Sequence, residues 1–89
     1  MTAKAQIYSK ANCAFCVAAK NLLKSRGFDY EEFLIDRDPG KLEEMLARSQ
    51  RRTVPQVFVN GEYIGGFEDL AEADRSGKLA VMAKIEAKD

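Results

Sequence analysis

The dipeptide Asn60-Gly61, set between extended runs at residues 56–59 and 62–64, constrains this chain more than any other feature. Both central residues of a type I′ turn need positive φ, and Asn-Gly between apolar runs is the strongest short-range sign of a two-residue hairpin. The strands on either side must therefore pair antiparallel. Upstream the pattern differs. Ala5 and Ile7 mark a short strand over residues 5–8, and residues 9–12 read as a polar loop. From Cys16 onward, Ala19, Leu22, Leu23 and Arg26 recur at helical spacing as far as Gly27, which suits a left-handed helix terminus. Residues 28–35 read as a second strand, Asp38-Pro39 as an N-cap with proline in the first turn, and Leu42, Met45 and Leu46 as the apolar stripe of a second helix. Strand, helix and strand in succession imply a right-handed crossover and a parallel pair.

Beyond the hairpin, Gly65-Gly66 leads into Phe67-Glu68-Asp69-Leu70, whose acids suit the first turn of a helix. A break near Ser76-Gly77 separates it from a last helix carrying Leu79, Met82 and Ile85. The order βαβαββα plus a C-terminal helix predicts an α/β fold, a mixed four-stranded sheet sandwiched by helices. At 89 residues the chain can enclose one modest core, so residues 1–89 read as a single domain.

Charge and hydropathy exclude several functions. The 14 basic and 14 acidic residues balance, which argues against a dedicated binder of nucleic acid or of membrane surfaces. The first six residues have no apolar stretch of signal-peptide length and no segment approaches a membrane span, so a cytoplasmic location is expected. The charges are unevenly spread. Residues 1–28 carry Lys4, Lys10, Lys20, Lys24 and Arg26 with no acid, whereas residues 29–47 hold seven acids and two bases. Both cysteines fall in the electropositive third.

Those cysteines form Cys13-Ala14-Phe15-Cys16, directly after a strand and at the start of a helix. In a chain expected in the cytosol this spacing points to redox chemistry. A structural disulfide suits secretion, a zinc centre needs four ligands where the chain has no histidine and no third cysteine, and an inert core pair fits poorly beside Ser9, Lys10 and Asn12. The thiolate is the nucleophile, and a free thiol of pKa about 8.5 is only a few per cent ionised at neutral pH. Unpaired amides and the dipole at the helix start, with Lys10 three residues upstream, would supply the missing stabilisation. Cys13 is thus the expected nucleophile. Cys16, one turn further in, should be more buried and act as the resolving thiol. Without histidine, a Cys-His hydrolase is excluded within this chain.

Ile7-Tyr8-Ser9-Lys10 leading into the cysteine motif, then Thr53-Val54-Pro55-Gln56-Val57-Phe58, then Gly65-Gly66-Phe67-Glu68-Asp69-Leu70, together resemble a small dithiol glutaredoxin of the thioredoxin superfamily over nearly the whole chain. Three motifs in order are far more specific than a lone Cys-x-x-Cys. The resemblance implies a thioredoxin-like fold and a glutathione-dependent thiol–disulfide oxidoreductase that reduces protein–glutathione mixed disulfides and small disulfides. Its implied partners are glutathione and glutathionylated or disulfide-containing proteins, with a monomer as the working form. It also implies that Pro55 is cis beside the cysteines and that Val54 pairs through its backbone with a peptide-like thiol. The γ-glutamyl end would meet the amides of the helix begun by Phe67 and Glu68, with Asp69 accepting from its ammonium. Gly65 and Gly66 would allow close backbone approach. Phe15 and Thr53 complete the expected site, and Lys10 with one of Gln50, Arg51 or Arg52, here assigned to Arg52, would hold the glycyl carboxylate. The competing reading of Arg48, Arg51 and Arg52 is a solvated helix end and loop.

The chain departs from the family's dithiol motif, which has Pro and Tyr where Ala14 and Phe15 stand. Losing the proline frees an N–H and relaxes the first turn; Phe15 keeps an aromatic face without the hydroxyl. Ala14 keeps a second function in view. Some glutaredoxins lacking that proline hold a [2Fe–2S] cluster between two subunits through one cysteine each, here Cys13, and two glutathione thiols. A third function is a redoxin reduced by a thioredoxin reductase; Lys10 and the Gly-Gly-x-x-Asp segment favour glutathione.

Overall fold

A computed structural model describes residues 4–84. Its elements follow the expected order: β1 (Lys4–Ser9), α1 (Ala14–Ser25), β2 (Asp29–Leu34), α2 (Pro39–Ser49), β3 (Gln56–Val59), β4 (Glu62–Gly65), α3 (Phe67–Arg75) and α4 (Lys78–Lys84). Ile85, expected on the last helix, lies outside the described residues. The four strands form one sheet in the order β2-β1-β3-β4. β1 runs parallel to β2, with Ile7 opposite Glu32, and antiparallel to β3, with Ile7 opposite Val57. The β3–β4 hairpin turns through Asn60 at φ 51° and Gly61 at φ 84°, the two positive values a type I′ turn requires.

Alternation of side chains across the central strands divides the core in two. Ala5, Ile7, Val57 and Val59 pack with Ala19, Leu23, Leu70 and Leu79 from α1, α3 and α4. On the opposite face Tyr8 and Phe58 pack with Met45 of α2. Phe28, expected to open the second strand, is instead a buried member of the larger cluster just before β2. Ser9, expected in the loop, is the buried last residue of β1.

The smaller face is roofed by polar groups. The Tyr8 hydroxyl donates to Glu44 and accepts from Arg48 at 2.7 Å, and Arg48 also donates to Gln6 at 3.0 Å. The Arg48 guanidinium lies 3.8 Å from the Phe58 ring centroid. Arg48 stays exposed at the end of α2, as one reading of the sequence had it, yet it is also tied to the sheet, because its planar cation can cover an aromatic face while its N–H groups meet polar partners.

Candidate active site

β1 delivers the chain to the start of α1, and the end of β2 holds the connecting loop. Ile35 N–H donates to the Ser9 carbonyl at 2.9 Å, and Ala11 N–H donates to the Asp36 carboxylate at 3.1 Å. Asn12 takes the left-handed conformation at φ 57°. Cys13 can then cap α1 with extended backbone: Cys16 N–H donates to its Sγ at 3.1 Å, and Val17 N–H to its carbonyl at 3.1 Å. The two cysteines are joined by a disulfide, their Cα atoms 5.2 Å apart. Cys13 is half-buried, whereas Cys16 is only 1% exposed. Once the disulfide opens, the sulfur that solvent reaches is the one facing a helix amide, which favours its anion.

Two depressions flank the start of α1, and the cysteines line the second of them. One is a groove of about 240 Å³ lined by Phe15, Arg51, Thr53, Val54, Pro55, Gly66, Phe67, Glu68 and Asp69. The Val54-Pro55 bond is cis. Gln56, fully buried, braces this segment: its Nε2 donates to the Thr53 carbonyl at 2.9 Å while its Oε1 accepts from the Tyr63 hydroxyl at 2.6 Å. Across the groove, Gly65 has φ 126°, and a Cβ there would overlap the Asp69 carboxyl group. That close approach lets Asp69 accept the Gly66 N–H at 3.0 Å and an ion pair from Arg51 at 3.3 Å. The Phe15 and Phe67 rings stand 5.8 Å apart at the groove wall.

The second depression, a recess of about 690 Å³, lies towards β2 and is lined by Lys10, Ala11, Asn12, Cys13, Ala14, Cys16, Val17, Lys20, Glu32 and Leu34. Lys20 pairs with Glu32 at 2.8 Å, and the Ser9 hydroxyl also donates to Glu32. The Lys20 hydrogen bond first, then that of Ser9, hold the Glu32 carboxyl below its ordinary pKa against the opposing effect of burial.

The sequence-predicted residues Phe15, Thr53, Val54, Pro55, Gly66, Phe67, Glu68 and Asp69 thus come together, while Lys10 and Arg52 do not line that groove. Lys10 lines the recess, as do Cys13 and Cys16. Arg51 holds the groove position that sequence reasoning gave to Arg52, because Gln50 ends α2 at φ 58° and the Ser49 hydroxyl accepts the Arg51 N–H at 3.2 Å, fixing the exit of the chain. Gln56 was missed; a polar residue heading a strand whose other members are apolar was the signal available. Among the described residues no three His, Cys, Asp or Glu side chains cluster as a metal site, and no helix is long and apolar enough to cross a membrane.

Comparison with known proteins follows the same outline. The sequence model of the Glutaredoxin family matches residues 5–64. The chain is 44% identical over 82 residues to glutaredoxin 3 of Escherichia coli K12, covering 92% of this chain and 99% of that protein. It is 40% identical to a probable glutaredoxin of Synechocystis, covering 89% and 91%. Among solved structures, a buckwheat glutaredoxin–glutathione complex superposes with a TM-score of 0.81 at 31% identity, over 91% of this chain and 76% of that one. The dithiolic glutaredoxin 2-C-Grx1 of Trypanosoma brucei brucei gives 0.81 at 32% identity, over 92% and 88%. The sheet is accordingly that of a thioredoxin-like fold. With this sequence match, this fold and this cysteine pair, the chain belongs to the glutaredoxin family of thiol–disulfide oxidoreductases.

Proposed function

We propose that this glutaredoxin uses glutathione to reduce protein–glutathione mixed disulfides and small disulfides, with Cys13 as nucleophile and Cys16 as resolving thiol. The observation that carries the reading is the groove walled by Phe15, two residues from Cys13 on the first turn of α1, which offers a main chain at Val54, the amide end of α3 and the Asp69 carboxylate within one small volume. A tripeptide with a backbone, two carboxylates and an ammonium fits that set of partners. The buckwheat relative is a glutathione complex, which supports the same assignment. Arg51, within the groove, is the cation for the glycyl carboxylate; Lys10, expected from the sequence to share that role, lines the recess instead. Asp69, paired with Arg51 when the groove is empty, turns to the ligand's ammonium.

In the reaction the Cys13 thiolate attacks the glutathione sulfur of the mixed disulfide. The protein sulfur leaves as thiolate and takes up a proton, and a Cys13–glutathione disulfide remains. A second glutathione thiolate attacks the bound glutathione sulfur, releasing glutathione disulfide and restoring the Cys13 thiolate. Alternatively the Cys16 thiolate attacks Cys13 Sγ, expels glutathione and closes the Cys13–Cys16 disulfide. The cytoplasmic location and monomeric state expected from sequence belong to this proposal.

The test is a glutathionylated peptide assayed with glutathione, glutathione reductase and NADPH. Turnover is expected; turnover only when thioredoxin reductase replaces the glutathione system would overturn the reading. Ala14 favours a second, cluster-bearing state, and the glutaredoxin C1 relative from Populus is described as a holo form. With Cys16 enclosed, one chain would offer the single thiolate of Cys13, so a second copy and two glutathione thiols would be needed. Anaerobic reconstitution with iron, sulfide and glutathione should then give a coloured dimer, and a colourless monomer removes this state.

A further inference from the structure

Phe15 and Val17 are two of the four large apolar side chains exposed among the described residues, at 63% and 51%. They line different depressions, Phe15 the groove and Val17 the recess that Cys13 also lines. Glutathione accounts for the groove. Nothing in that reading accounts for an apolar recess nearly three times as large, at about 690 against 240 Å³. Ala11, Ala14, Val17 and Leu34 supply its apolar surface. Its charges do not cancel: Lys20 and Glu32 neutralise one another at 2.8 Å, whereas Lys10 has no hydrogen bond or ion pair among the described residues. Asp36, which takes the Ala11 amide, is not part of the lining.

We propose that this recess receives the protein half of the mixed disulfide, as an extended segment with a branched apolar residue next to the glutathionylated cysteine and a carboxylate within reach of Lys10. The inference rests on the glutathione reading. A mixed disulfide presents two halves to one sulfur, and once the tripeptide fills the groove the depression that Cys13 itself lines is the recess. An apolar side chain there would be removed from water against Val17 and Leu34, and Lys10, which lines the recess and not the groove, favours an acidic segment over a basic one.

The experiment uses the whole protein and four probes: glutathione–cysteamine disulfide, and three glutathionylated peptides that differ at two positions. The first peptide has Leu before the cysteine and Glu two residues after it; the second replaces Leu with Ser, the third Glu with Lys. The unmodified protein should show kcat/KM about fivefold higher for the first peptide than the second, the yield expected of one partly buried aliphatic contact. The third peptide should also fall below the first, by a margin that shrinks as salt is raised. Val17→Ser should erase the Leu preference and leave glutathione–cysteamine turnover unchanged, because Val17 is exposed and away from the groove. Val17→Thr, nearly isosteric, should behave as Val17→Ser does and serves as the fold control. Equal rates for the first two peptides, no loss with the Lys peptide, or a parallel loss on glutathione–cysteamine in both variants would each overturn this inference alone. Absence of glutathione–cysteamine turnover by the unmodified protein would overturn the glutathione reading and this inference with it.

Discussion

Cys13 and Cys16 have the same chemistry in isolation, and one turn of α1 separates their duties. Only Cys13 combines access to solvent with the Cys16 N–H at 3.1 Å. Cys13→Ser should therefore abolish turnover in the glutathione-coupled assay, while Cys16→Ser should retain reduction of glutathione mixed disulfides, which needs one thiol; the opposite pattern would reverse the roles. Gly65 supports the neighbouring groove through what it lacks. A side chain there meets both the φ of 126° and the Asp69 carboxyl, so Gly65→Ala should cost about 1–3 kcal/mol in urea unfolding and raise the KM for glutathione; an unchanged KM would separate Asp69 from binding. The cysteine pair and the α3 entry were legible because each is a local motif in the sequence, whereas the cis Pro55 was legible only through the family resemblance that its segment helps to carry. Arg51 and Arg52 were not distinguishable, since the choice depends on how Gln50 and Ser49 end α2. Gln56 acts through Thr53 and Tyr63, contacts that exist only after β3 and β4 pair.

Elements declared themselves where their ends carry specific chemistry. Asp38 accepts N–H bonds from Gly40 at 3.0 Å and Lys41 at 3.3 Å, and Pro39 needs no such partner, so α2 begins where the sequence placed it. Asp38→Ala should lower stability by about 1 kcal/mol in urea unfolding while Asp38→Asn, which keeps an acceptor, stays close to the parent. Equal losses in the two variants would mean that charge near the helix start, not the hydrogen bond, is what counts. The apolar stripe of α2 was equally legible from period. Its outer roof was not, because Arg48 finds Tyr8 from 40 residues away, across a sheet that no local pattern describes. The same limit explains Lys20 and Glu32, which read as scattered surface charges and become a pair under the active-site loop only when α1 packs against β2.

At the scale of the whole molecule, the sheet carries its larger apolar cluster on one face, and ionised carboxylates tie down the smaller cluster on the other face and the loop beside Cys13. Glu44 is held below its ordinary pKa of 4.5 first by the Tyr8 hydroxyl, then by Lys41, against burial; Glu32 is held below 4.5 by Lys20 and Ser9. A depressed acid stabilises the fold fully above its unfolded pKa, and that contribution is lost as pH falls through the folded value. Tyr8 has the opposite sign. Burial first, and then its bond to Glu44, raise it above 10.0, so its contribution holds below pH 10 and fades as pH rises through its folded value. Stability should consequently be level near neutrality, fall from about pH 5 downward, and fall again above about pH 10. Urea midpoints across pH test this against Glu32→Gln and Glu44→Gln combined in one protein. That variant should start less stable at pH 7 and lose less than the parent between about pH 5 and pH 3, since the groups that titrate there are gone. Parallel acid limbs in the two proteins would assign the loss to other carboxylates and leave these two as ordinary surface pairs.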